Sequence, residues 1–275
     1  MRVFTRWSVG AGLLILAASC QLLEFSPHQV TMPGASQLTA RHLARLRQQP
    51  RAARGDTVRF VFVGDTQRFY DETADFVRSV NQQRGIDFVL VGGDISDFGL
   101  ARELQWTDRR LGQLRVPYLT VIGNHDQVGN GRQAYQAVFG PLNYSFVYGG
   151  VKFVLIDTNG RESGFGGRVP DVAWLQRELA DTVGVRRAVV VSHVPPTDLD
   201  FDPKLTAAYA AALARSPRPA MHLAAHIHRH TAGHPFHDGV PYLTTYSLQK
   251  HRYHILSVWG ERQFRLETVT YGPQA

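Results

Sequence analysis

Short apolar runs recur along the chain, and each stops at a polar residue of the same few kinds. Phe88-Val89-Leu90-Val91 ends on Gly92-Gly93-Asp94, and Phe60-Val61-Phe62-Val63 on Gly64-Asp65. Leu119-Thr120-Val121-Ile122 ends on Gly123-Asn124-His125-Asp126, Val189-Val190-Val191 on Ser192-His193, and Met221-His222-Leu223-Ala224 on Ala225-His226-Ile227-His228. Runs of this length, rich in Val, Ile and Phe and bounded by glycine, predict buried strands. Between them lie stretches of helical spacing, at about Asp71–Gln82, Leu100–Leu114 and Arg132–Phe139. The resulting β-α-β-α-β order implies a mainly parallel sheet with right-handed crossovers.

The grammar then changes. Tyr144–Tyr148, Gly149-Gly150 and Val151–Asp157 read as a hairpin. The glycine-rich stretch Gly160–Pro170 reads as a loop. Asp171 caps a helix running to about Asp181, a further helix covers about Lys204–Arg215, and Tyr242–Tyr271 reads as strands joined by hairpin turns. The pattern predicts an α/β fold, a four-layer α/β/β/α sandwich of two mixed sheets with helices outside. The front half is expected to build mainly the first sheet and the back half the second.

At 275 residues, 44% of them hydrophobic and 19% charged, the chain can bury a full core. The net charge of +7 reads as a solvated surface with arginine as the preferred cation. No dense basic stripe with interleaved aromatics is present, which argues against nucleic acid as a partner. Residues Met1–Ser19 carry Arg2 and Arg6, then the apolar run Val9–Leu16, then small residues before Cys20, the sole cysteine. A basic start, a short apolar middle and a small-residue cut make a secretory signal peptide. Leu16-Ala17-Ala18-Ser19-Cys20 resembles the bacterial lipobox, with Ala17 where leucine is favoured. That resemblance implies an exported protein of the cell envelope, lipid-anchored to a membrane through Cys20. The expected organisation is a signal peptide at 1–19, a lipid tether and linker helix at 20–56 and the working domain at 57–275. Within the tether, Leu38, Leu43 and Leu46 share roughly one helical face among many arginines. An amphipathic helix and a solvated linker both fit that stretch.

Five strand ends therefore deliver Asp65, Asp94, Asn124 with His125, His193, and His226 with His228. Ligands of open α/β sheets bind at that edge. Nothing basic lies within seven residues of Asp94, from Asp87 to Ala101. A carboxylate beside an apolar core needs a positive partner, so another part of the fold or a metal cation must supply it. Oxygen and imidazole donors converging from separate strands are what a metal centre uses.

Gly64-Asp65, Gly93-Asp94-Ile95-Ser96-Asp97, Gly123-Asn124-His125-Asp126, Ser192-His193 and Ala225-His226-Ile227-His228 resemble, in this order, the blocks of the calcineurin-like metallophosphoesterases. Those blocks are D-x-H, G-D-x-x-D, G-N-H-D/E, a lone histidine and G-H-x-H. Gln67 departs from the first and Ala225 from the last. The resemblance, over about residues 57–270, implies two divalent metal ions (Mn, Fe or Zn). It implies Asp65, Gln67, Asp94 and His228 around one, and Asp94, Asn124, His193 and His226 around the other, with Asp94 shared. It further implies hydrolysis of a small phosphomonoester or phosphodiester substrate by in-line attack of a metal-bridging hydroxide. His125 would give a proton to the leaving oxygen, and Asp97 would hold the tautomer of His125.

Each piece has a plainer alternative. Asp97 also suits a helix cap, and Asp126 an orienting group or a cap. His222, His230, His234 and His237 suit ordinary strand alternation and surface. The loop arginines Arg68, Arg161 and Arg168 suit either phosphate or solvent. A nuclease on the same fold and a non-catalytic metal- or ligand-binding relative stand as alternatives for the whole. Gln67 supplies an amide oxygen where imidazole is usual, a weaker donor for zinc-like metals. We therefore expect the first site to favour a harder ion such as manganese. Purified protein holding zinc tightly at both sites would show that expectation to be wrong.

Overall fold

A computed structural model describes residues 26, 28–49 and 55–272. The expected signal peptide and Cys20 lie outside the described residues. Helix α1 (Leu38–Gln48) precedes β1 (Val58–Val63), α2 (Tyr70–Gln82), β2 (Phe88–Val91), α3 (Ala101–Leu111), β3 (Tyr118–Thr120) and α4 (Gly131–Val138). Next come β4 (Tyr144–Tyr148), β5 (Val151–Leu155), α5 (Val172–Ala180), β6 (Arg187–Val191), α6 (Thr206–Ala214) and β7 (Ala220–Ala224). The chain closes with β8 (Ala232–Gly233), β9 (Tyr242–Thr244), β10 (Arg252–Trp259) and β11 (Gln263–Thr270). One sheet has the order β11-β10-β1-β2-β3 and the other β4-β5-β6-β7-β9-β8.

The unbroken apolar runs follow from burial on both faces of each sheet. Along β1, Phe60 and Phe62 point between the sheets, while Val61 and Val63 pack under the helices. The same split on β5 and β6 sends Phe153, Leu155, Val189 and Val191 inward, and Val154 and Val190 under α5 and α6. Three apolar layers result, and the architecture is the four-layer sandwich with helices outside. Phe60 and Phe88 stack at 5.4 Å between ring centres, and Phe153 meets them edge-on at 5.3 and 5.1 Å.

The tail departs from the front-half, back-half division. β9 joins the second sheet, but β10 pairs antiparallel with β1, Val61 opposite Ile255, and carries β11 with it into the first. β1 would otherwise be a bare sheet edge, and the last hairpin covers it. The arginine-rich stretch before β1 is helical rather than a free linker. Leu38 of α1 is buried in the helix-side core and Leu46 in the inter-sheet core, so α1 seals the side of the sandwich beside β3. Asp171 caps α5 as expected, its carboxylate accepting from the Trp174 amide at 2.9 Å. Among the described residues, no helix is long and apolar enough to cross a membrane.

Phe153 is fully buried where the aromatic layer closes. Phe153→Ala should cost about 3–5 kcal/mol of stability. Urea unfolding of the variant beside the parent measures it.

Candidate metal centre

β1, β2 and β3 run parallel, as do β5, β6, β7 and β9. Both sheets present carboxyl ends on one edge, and within each sheet the loops leaving neighbouring strands are tied together. The Asp65 amide donates to the Gly93 carbonyl at 3.0 Å, Gln67 to Asp94 at 2.8 Å and Ala225 to His193 at 3.0 Å. His193 Nδ1 crosses from the second sheet and donates to the Gly92 carbonyl of the first at 2.7 Å.

Backbone strain is concentrated here. Asp65, Asp94, His226 and His228 all lie in the left-handed region, with φ of 54°, 53°, 66° and 54°. That region is uncommon for residues with a Cβ, and such strain persists only where surrounding contacts impose it. The bends turn each side chain off its strand and into the gap. Gly123 is needed at the crossing, because a Cβ there would overlap the amide and carboxylate of Asp94. Ala225, in place of the family's glycine, puts its methyl where a side chain at Gly64 would go.

The side chains fall into two sets sharing Asp94. In the first, the Asp65 carboxylate is fully buried and neither oxygen receives a hydrogen bond. Its nearest partner is His228 Nε2 at 3.1 Å, and that contact raises the imidazole above its usual range. The Gln67 amide lies 3.1 Å from Asp94 Oδ2 and 3.0 Å from the Asp94 carbonyl. With its nitrogen turned in, the amide donates to both. With its oxygen turned in, oxygen faces oxygen, and a cation between them reconciles the arrangement.

In the second set, the bond from Nδ1 to Gly92 fixes the His193 tautomer and leaves Nε2 facing Asn124 Oδ1 at 2.9 Å, Asp94 Oδ1 at 3.3 Å and His226 Nδ1 at 3.2 Å. His226 Nδ1 is also 3.2 Å from Asn124 Oδ1. Burial alone would lower the His193 pKa, but the Asp94 carboxylate outweighs it and raises the group to about 10. His226 is lowered, by burial first and then by His193. Asp94 stays below the usual carboxylate range; burial opposes this, and His193 and the His125 amide outweigh it.

Asp65, Asp94 and His193 bring one ligand atom each within 4.8 Å of one another. A buried carboxylate without donors, a second carboxylate beside it, and imidazole and amide oxygens turned inward make a donor set that fits divalent cations.

His125 sits at the rim, its side chain 36% exposed. Its Nδ1 donates to the main-chain carbonyl of Asp97 at 2.9 Å, while the Asp97 carboxylate is farther, at 3.5 Å, and pairs instead with Arg68 at 2.9 Å. Asp97 thus reaches His125 mainly through its backbone, and Arg68 is committed to Asp97. Asp126 ties the motif loops together. One of its oxygens accepts from the Ile95 and Ser96 amides and the Ser96 hydroxyl, the other from the Gly123 amide. His222 meets the Ser192 hydroxyl, and His230 and His234 meet main-chain carbonyls. Arg161 pairs with Asp200. The sequence reading did not single out Asp198 and Asp200, which approach His226. Their only sequence signal is a pair of acids at alternate positions shortly after His193.

This fold and this edge define a four-layer α/β sandwich with a candidate divalent-metal centre at the carboxyl ends of its strands. The model of the calcineurin-like phosphoesterase family matches residues 58–230, and the chain belongs to that family. It is 30% identical over 150 residues to the glycerophosphodiester phosphodiesterase GpdQ of Enterobacter lignolyticus, over 48% of this chain and 51% of that protein. The chain thus spans about half the length of that curated relative. A dimetal phosphatase from Danio rerio superposes with a TM-score of 0.59 at 16% identity, covering 78% of this chain and 99% of that one. A purple acid phosphatase from yellow lupin seeds gives 0.60 at 14% identity, covering 78% and 51%. Both show the same fold.

Gly123→Ala should push Asp94 out of place. We expect loss of bound divalent metal, read by elemental analysis, together with about 1–3 kcal/mol of stability, read by thermal unfolding.

Proposed function

We propose that the protein hydrolyses a small phosphomonoester or phosphodiester with two divalent ions held by Asp65, Gln67, Asp94 and His228 on one side and Asp94, Asn124, His193 and His226 on the other. The observation that carries this is the buried Asp65 carboxylate with no hydrogen-bond donor, set against Asp94 and inward-turned imidazoles. Bound there, the ions would neutralise phosphoryl oxygens and make water acidic enough to serve as nucleophile near neutral pH. The remaining work belongs to the chain. Asp94 would serve both ion positions, and Asn124 and His193, which face it and each other, would hold the second ion. His125, whose Nδ1–H is taken by the Asp97 carbonyl, would pass a proton from Nε2 to the leaving oxygen when its ring is doubly protonated. Arg68 pairs with the Asp97 oxygen that lies 3.5 Å from His125.

The relative's name concerns glycerophosphodiesters, and it favours a diester among small substrates here. We further propose that the protein is exported and anchored through Cys20. The support is the basic start, the short apolar run and the small residues before that cysteine. Labelling with a radioactive fatty acid should mark the parent and not Cys20→Ser; equal labelling of both would rule the anchor out.

The test of function is turnover of p-nitrophenyl phosphate, bis-p-nitrophenyl phosphate and single-stranded DNA side by side with manganese present. Small esters should be cleaved and DNA spared; cleavage of DNA alone would favour the nuclease. His125→Ala should lower turnover of poorly activated esters by about 10²–10⁴-fold with metal content unchanged. Equal inertness of parent and variant toward every ester would favour a binding protein.

A further inference from the structure

His226 has polar groups on both sides. Its Nδ1 faces Asn124 and His193, as the second metal position requires, and its Nε2 faces two carboxylates on the opposite side. Asp198 Oδ1 lies 3.6 Å and Asp200 Oδ2 3.4 Å from that nitrogen. With His226 they form a second group whose ligand atoms lie within 4.8 Å of one another. We propose that Asp198 and Asp200 are positioning residues for the second metal. On this reading they fix the proton of His226 on Nε2, leave the Nδ1 lone pair for the ion and strengthen that nitrogen as a donor. The inference rests on the two-metal reading above and adds two residues to it.

The loop is built to hold these carboxylates still. Pro195 and Pro196 lead into it, and the Asp198 amide donates to the Pro195 carbonyl at 3.0 Å. Asp198 Oδ1 accepts from the Asp200 amide at 3.0 Å. Arg161 pairs with the Asp200 side chain, and its own amide donates to the Asp200 carbonyl at 3.0 Å. Phe201, 1% exposed, pins the loop's end into the core beneath α6. Leu199, between the two acids, is 87% exposed, so the loop's tip is not shaped by packing.

Electrostatics points the same way. Two carboxylates facing one imidazole repel each other, and Arg161 offsets one of them. The remaining negative charge is aimed at an N–H that becomes more acidic when the other ring nitrogen gives its lone pair to a cation. A carboxylate behind a metal-bound histidine commonly sets its tautomer and raises its basicity. A purely structural turn would need only the one Asp198 oxygen that accepts from Asp200, and an asparagine there could serve equally well.

That difference supplies the test. Asp198→Asn, Asp200→Asn and the double variant keep the turn's acceptor and remove the charge. Full-length parent and variants are titrated with Mn²⁺ by calorimetry, and the Co²⁺ forms are examined by visible absorption. We expect two ions in the parent. In the double variant, affinity for one ion should fall about 10- to 100-fold while the other is unchanged, with an altered cobalt band. The kcat for bis-p-nitrophenyl phosphate should fall more than KM changes, and Asp198→Glu should recover part of the lost affinity. Unchanged affinities and an unchanged cobalt spectrum would overturn the inference. So would equal weakening of both ions together with a lower melting temperature, which marks a loop that merely folds. A parent that binds no divalent ion would remove the two-metal reading, and this inference with it. A parent with two ions and an insensitive variant removes only the inference.

Discussion

Two carboxylates buried side by side, Asp65 and Asp94, are the constraint on which the rest of the structure turns. Like charges at the end of an apolar core are costly, and neither Asp65 oxygen receives a donor. Imidazoles from the other sheet offset part of that cost, and divalent ions are the partners whose charge is large enough to offset the rest. The loops that carry these groups exist in this shape because the charges must be brought together. They are tied to their neighbours within each sheet by main-chain bonds, and across the inter-sheet gap by His193 reaching to Gly92. The surrounding sandwich supplies the rigidity: burial of the strands on both faces leaves their ends little freedom to relax away from the strained φ values.

The division of labour among the polar residues follows. Asp65, at the centre of the donor set, receives no hydrogen bond on either oxygen, whereas Asp126, which holds the loops, is saturated with them. Asp126, one step along the chain from His125, accepts four bonds and faces none of the metal donors. Asp97 is intermediate: its carbonyl serves His125, and its carboxylate is paired with Arg68. Chemical type alone does not assign a role to an aspartate here; what each oxygen receives does.

That distinction explains what could be read from the chain beforehand. The central strands, such as β1, β2 and β6, were legible because they are buried on both faces and so almost wholly apolar, and the groups at their ends stood out against that background. The Tyr144–Leu155 hairpin was legible because Gly149-Gly150 marks its turn. The partnership of β10 with β1 was not, because pairing across the length of the chain leaves no local trace beyond alternation. Helix α1 was ambiguous for a related reason: its few leucines are buried only against β3 and the sheet edges that the rest of the chain builds. Asp198 and Asp200 read as ordinary loop acids, since their relation to His226 is made by the fold and not by spacing. The carboxylate of Asp97 was expected at His125, and it lies 3.5 Å from that ring; that the same oxygen also pairs with Arg68 is a contact that adjacency in sequence to Gln67 does not announce.

Gln67 makes the two halves of the site chemically unequal. One half offers Asp65, Gln67 and Asp94 oxygens with a single imidazole, His228. The other offers Asp94 and Asn124 oxygens with two imidazoles, His193 and His226. Nitrogen donors favour zinc-like ions over manganese or magnesium more strongly than oxygen donors do. The loss of one imidazole therefore falls where oxygen already predominates, while the imidazole-rich half is the one that Asp198 and Asp200 reinforce through His226. The asymmetry of donors and the asymmetry of support coincide: the half with more nitrogen has carboxylates behind it, and the half with more oxygen has the buried Asp65 carboxylate paired with His228.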